Sequence, residues 1–76
     1  MSYSKLKNDR FKRIASKRVG NIVKSIRSLS NCSNTNNYQY NEDDVNKLTR
    51  AIKEEIKIME TLFRKNLSNK KDTFNF

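Results

Sequence analysis

Five cations, Arg10, Arg13, Lys17, Lys24 and Arg27, recur at intervals of three, four, seven and three residues. That spacing gathers them on one side of a helix that turns about 100° per residue. The chemistry open to such a ridge is electrostatic. Lysine and arginine side chains that neutralise nucleic-acid phosphates release condensed counterions, and the affinity gained in this way reads no base sequence. A solvated face that keeps the chain soluble is the plainer use of the same residues. Against it stands the scarcity of acidic partners, since residues 5–30 hold nine Lys/Arg and a single acid, Asp9.

The charge is unevenly placed along the chain. Of the overall +9, residues 5–30 contribute +8, residues 42–67 balance six cations with six acids, and residues 68–76 add +1. Asn, Lys and Ile are all abundant, as in proteins encoded by AT-rich genomes, and that bias accounts for part of the basic balance. It does not account for the location.

Other residues invite chemistry less. Gly20 lies within the ridge, where it costs about 1 kcal/mol of helix propensity relative to Ala; close approach of a phosphate backbone or another helix is one reason for it, a tolerated surface glycine the simpler one. Tyr38 and Tyr40 could stack on bases, but Tyr40 is better explained by packing. Cys32 has no histidine to activate it, and a lone thiol of this kind is expected to be a packed residue with no catalytic role. Glu42, Asp43, Asp44, Glu54, Glu55 and Glu60 fit helix capping and pairs such as Glu54 with Lys57 or Glu60 with Arg64 better than acid/base work. There is no histidine and only one glycine, hence no glycine-rich phosphate loop. No nucleophile, base and stabiliser set can be assembled, so the expectation is a non-enzyme without metal or cofactor.

Two helices must position these residues. Phe11, Ala15, Val19, Ile22, Ile26 and Leu29 are spaced by four, four, three, four and three, one face of an α-helix expected over about residues 6–30, with Ile14 and Val23 widening the stripe. Val45, Leu48, Ile52, Ile56, Met59 and Phe63 repeat the pattern and predict a second helix over about residues 42–66. Asn41 is placed to cap it, with the Glu42-Asp43-Asp44 carboxylates at the positive end of its dipole. Asp44 stands at the capping-box position, and Tyr40 and Val45 stand where a hydrophobic staple forms. Ser30 to Asn37 is a run of short polar side chains that compete for backbone hydrogen bonds, which predicts a loop. Ser68 to Phe76 lacks a stripe and is expected to be a flexible tail, with Phe74 and Phe76 as docking points.

Seventy-six residues make one domain, and chains under about 80 residues seldom draw more than ~3–5 kcal/mol from a single core. A composition only 34% hydrophobic borders on disorder. A single cysteine closes no internal disulfide, and without histidine no zinc set is plausible. Oligomerisation remains. The expected fold is therefore all-α: an antiparallel two-helix hairpin over residues 1–67, dimerising into a four-helix bundle through the twelve stripe residues just named. No apolar run reaches the roughly 18 residues of a membrane span, and the start of the chain lacks the apolar core of a secretory signal. The expectation is a cytoplasmic protein without a membrane partner. A peripheral membrane helix fits less well, because the first stripe lacks Trp and the second helix is electrically balanced.

The succession Arg10-Phe11, Ile14-Ala15, Arg18-Val19, Ile26-Arg27, Leu29, then Asn31-Cys32-Ser33-Asn34, Asn37-Tyr38, Tyr40 and Glu42-Asp43-Asp44-Val45 resembles a pattern in small uncharacterised bacterial helical proteins, some carried on mobile elements. The resemblance covers about residues 10–63 and transfers no functional residue. The chain does not resemble a ribbon-helix-helix protein, having no strand before its helices, nor a helix-turn-helix, having neither the short turn nor the third helix. Function is thus expected to be a homodimer contacting DNA or RNA phosphates through Arg10, Arg13, Lys17, Lys24 and Arg27. The alternative is a structural or adaptor subunit that docks its apolar face on another protein.

Overall fold

The computed structural model describes the backbone of residues 2–72 and the side chains of residues 3–69. Phe74 and Phe76 lie outside the described residues. The described chain is all-α, with helix α1 (Ser2–Ser30), a short 3-10 turn (Asn31–Ser33) and helix α2 (Glu42–Asp72), and it contains no strand. It falls into two units, Met1–Gln39 and Tyr40–Phe76.

In the first unit, α1 begins four residues ahead of the expected start near residue 6. Its first turn contains no acidic residue, and Lys5 and Lys7 lie near the positive end of the dipole, where cations are unfavourable. A local contact offsets this. The Lys7 Nζ sits 4.8 Å from the Tyr3 ring centroid, an i,i+4 cation–π contact of about 0.5–1 kcal/mol at exposed sites. At the other end Arg27 occupies the last turn, where its charge complements the dipole. The Ser30 Oγ donates back to the Ile26 carbonyl one turn earlier at 3.0 Å, which satisfies the hydroxyl on the helix itself.

The polar run then folds on itself as its composition predicts. Asn34 is the centre: its Oδ1 accepts from the Asn36 N–H at 2.9 Å, an Asx turn. Its carbonyl accepts from the N–H groups of Asn37 and Tyr38 at 3.2 and 3.0 Å. No described residue needs a positive φ, so the loop forms without glycine.

In the second unit, the start of α2 matches the expectation in detail. The Asn41 Oδ1 accepts from the Asp44 N–H at 2.9 Å, and the Asp44 Oδ2 accepts from the Asn41 N–H at 3.0 Å. This is a reciprocal capping box with Asn and Asp in place of the commoner Ser/Thr and Glu. Asn41→Ala should therefore destabilise α2 by about 1 kcal/mol. Amide exchange over residues 42–45 should accelerate, while Asn41→Ser should leave it nearly unchanged.

Past residue 66, the expected end of the second helix, α2 continues to Asp72, so Ser68–Asp72 extend the helix instead of leaving it. Within α2 the Thr61 Oγ1 donates to the Lys57 carbonyl at 2.8 Å. Arg64 donates to the Glu60 Oε2 through both Nε (3.0 Å) and Nη2 (2.7 Å). That expected pair forms; Glu54 and Lys57 are not joined.

None of the described residues is buried. Only Ile14, Ala15, Thr49 and Ile52 are even half-covered. Along a helix a side chain is shaded by neighbours a turn away, which cover it incompletely. Phe11 on α1 stays 53% exposed and Phe63 on α2 52%. Neither unit holds a core of its own, whereas helices in proteins draw most of their stability from packing an amphipathic face and little from propensity.

Candidate nucleic-acid interface

The ridge cations need only one element to position them. Arg10, Arg13, Lys17, Lys24 and Arg27 all fall within α1 and are all exposed. At 1.5 Å rise per residue the row from Arg10 to Arg27 is about 26 Å long. Duplex DNA carries one charge per about 1.7 Å of axis, so a row of this length spans a stretch of duplex that carries more phosphates than the row has cations. Among the described residues the ion pair is Glu60 with Arg64, on α2; no ridge cation is neutralised by a carboxylate. Asp9, the one acid of α1, is exposed and unpaired with the ridge.

The widest interval in the row, between Lys17 and Lys24, contains Gly20. A Cβ built there meets nothing within 4 Å, so the fold of the first unit does not require glycine. Gly20→Ala should raise the helix content of α1, worth up to about 1 kcal/mol, as circular dichroism would read.

The other candidates form no site. Cys32 was expected to pack, but the structure leaves it exposed in the 3-10 turn, because a loop closed by bonds to its own backbone brings no apolar neighbour to cover it. Tyr40 and Val45 flank the cap at the expected staple positions, 40% and 42% exposed, and Tyr38 is 53% exposed. Among the described residues no three of Cys, Asp and Glu come together as metal ligands. No helix of the described residues is long and apolar enough to cross a membrane.

The apolar residues expected at an interface lie along their own helices as the spacing requires. Phe11, Val19, Ile22, Ile26 and Leu29 on α1, and Val45, Leu48, Ile56, Met59 and Phe63 on α2, are exposed; Ala15 and Ile52 are half-covered. Periodicity missed Ile58 and Leu62, which form a second row one helical step from Met59 and Phe63. They are 48% and 56% exposed and line a shallow groove with Glu55, Met59, Phe63 and Asn66. The signal was present in their own i,i+4 spacing.

In class, the chain is an all-α protein of two long amphipathic helices, the first strongly basic and the second electrically balanced. No protein family model matches it, and neither a curated protein nor a solved structure does.

Proposed function

We propose that this chain is a small non-enzymatic protein that binds nucleic-acid phosphates as a homodimer, through the ridge Arg10, Arg13, Lys17, Lys24 and Arg27. The observation that carries the reading is the row itself: five exposed cations on one side of α1, none of them paired with an acid. An unpaired row on one helix gains counterion-release energy from a polyanion, whereas cations already held by carboxylates would have to give up those bonds first.

The assembly proposed is an antiparallel hairpin of α1 and α2, two of which bury their stripes as a four-helix bundle. Charge at the edges of the stripes favours pairing the two helices. By helical position, Lys7 and Arg18 border the α1 stripe on one side and Lys5 and Lys12 on the other. Asp44 and Glu55 border the α2 stripe on one side and Glu42 and Glu60 on the other. Opposite charges along a seam select a partner helix. Such pairing leaves the ridge, on the far side of α1, open to solvent.

The test is binding of a fluorescent duplex and a single strand across a salt series. With Z neutralised phosphates the slope of log K against log salt is about −0.9Z for duplex DNA, so five contacts give about −4.5 and an affinity loss of about 500-fold between 50 and 200 mM salt. A dimer engaging both ridges at once gives up to twice that slope. No binding at low ionic strength removes the reading, and binding indifferent to salt removes its mechanism. A chain that stays monomeric and poorly helical until it meets another protein would favour the adaptor role, in which the uncovered stripes dock on that protein.

A further inference from the structure

We infer that the groove on the C-terminal half of α2 is the seam on which a second copy of this chain sits, with the two α2 helices antiparallel and the two-fold axis passing between Glu60 and Thr61. The inference rests on the homodimer just proposed and specifies which face and which register it uses.

The lining residues carry the argument. In chain order they are Glu55, Ile58, Met59, Leu62, Phe63 and Asn66, and they read symmetrically about the midpoint of Glu60 and Thr61. An antiparallel copy therefore brings Glu55 level with Asn66, Ile58 level with Phe63, and Met59 level with Leu62. Three kinds of layer result, each occurring twice about the axis and joining residues of both chains, as an isologous contact requires. The inner two layers are wholly apolar. In the outer layer a carboxylate meets an amide that can donate to it.

Charge fixes the direction. Glu54 and Lys65 flank the same side of the groove, the first before its midpoint and the second after it. An antiparallel copy keeps each Glu54 on the same side of the seam as its partner's Lys65 and within two residues of its level, while a parallel copy would put those two on opposite sides and set Glu55, on the centre line, against itself. Like charges so placed oppose association. Intrachain pairing does not pre-empt these groups, because the ion pair of α2 is Glu60 with Arg64 on another face. The stripe proposed to face α1 overlaps the groove at Met59 and Phe63 and leaves Ile58 and Leu62 to one side of it, so the two neighbours of α2 in the proposed bundle share Met59 and Phe63 while Ile58 and Leu62 serve the second copy.

The experiment uses the full chain with Cys32→Ser throughout, carrying either Glu55→Cys or Asn66→Cys, each oxidised alone and as a mixture. Helices in contact about 8–10 Å apart bring facing Cα atoms within disulfide reach. The expected result is an interchain disulfide, reversed by reductant, that forms at least tenfold more in the mixture than with either variant alone. Residue 55 is about 16 Å along the axis from its own counterpart in the antiparallel register, so Glu55→Cys alone should not cross-link. Cross-linking of Glu55→Cys alone means a parallel pair and overturns the proposal. Absence of cross-links from a chain whose light-scattering mass is twice 9.0 kDa overturns the groove but leaves the homodimer. A single-chain mass overturns both. As a second measurement, Leu62→Glu without cysteines should halve the mass at micromolar concentration, and retention of the doubled mass would sink the assignment.

Discussion

Replacing Arg10, Arg13, Lys17, Lys24 and Arg27 together by Gln should reduce duplex affinity at 50 mM salt by at least about 100-fold and flatten the salt slope from about −4.5 toward zero. The same variant should be more helical, not less. Gln matches Lys and Arg closely in helix propensity, while the native row sets Arg13 and Lys17 at i,i+4, and Arg10 with Arg13 and Lys24 with Arg27 at i,i+3. Like charges at these spacings each oppose the helix by about 0.2–0.5 kcal/mol. Binding and stability therefore move in opposite directions, which separates loss of contact from loss of fold. Lys47→Gln with Lys53→Gln is the matched control, since it removes cations from α2, where acids balance them. It should lower affinity by less than about threefold, by the small long-range contribution of net charge. Equal losses in log affinity per charge removed, five in one variant and two in the other, would mean that the ligand responds to total charge and not to the row. Single substitutions grade the effect: each ridge residue that touches a phosphate should reduce the slope by about 0.9, whatever the sequence of the duplex.

What could be read directly from the amino-acid sequence is what depends on near neighbours. The Asn41–Asp44 box needs two side chains and the backbone between them, so residue types three apart were enough to place it, and the structure forms both bonds. The Asn34 turn is equally local. Both stripes and the basic row lie within single helices, where spacing alone sets the face. The helix ends were less legible. Ser68-Asn69-Lys70-Lys71-Asp72 has no apolar face and looks like a tail, but it contains neither Gly nor Pro, and once a helix is nucleated each added residue gains a hydrogen bond. The start of α1 hid for a related reason, its cation–π contact being no standard cap. The exposure of Cys32 is not legible locally, because a thiol's burial depends on what surrounds it, which the local pattern does not contain. Ile58 and Leu62 do not stand out in the sequence because a single stripe already explains α2 as amphipathic. A helix that covers one neighbour needs one stripe, and a second row acquires meaning only when a second neighbour is considered.

The largest stability effect should come from a residue that carries no charge and lies on the other helix. Ile52 is the half-covered apolar residue of the α2 stripe, near the middle of the seam proposed for the bundle. Burying an isoleucine is worth about 1.5–3 kcal/mol. Ile52→Asp forfeits that gain and adds the cost of an unpaired carboxylate in an apolar layer. The combined loss exceeds the ~3–5 kcal/mol that a core of this size supplies, so the variant should lose cooperative melting altogether, whereas Ile52→Val should cost only about 0.5–1.5 kcal/mol. Concentration is the informative variable. If helix formation is coupled to assembly, the native chain should melt at higher temperature as its concentration rises, and Ile52→Asp should show low helicity that dilution does not change. Native melting that is cooperative, monomeric and independent of concentration would refute the coupling. The consequence reaches the ridge, because Arg10, Arg13, Lys17, Lys24 and Arg27 share a side only while α1 is helical. Unfolded, the same five cations are spread around a flexible chain, and ordering them on a polyanion costs conformational entropy of about 1–2 kcal/mol per residue fixed. Ile52→Asp should thus weaken phosphate binding by an order of magnitude or more with every cation in place, and that affinity should recover in conditions that restore the helix.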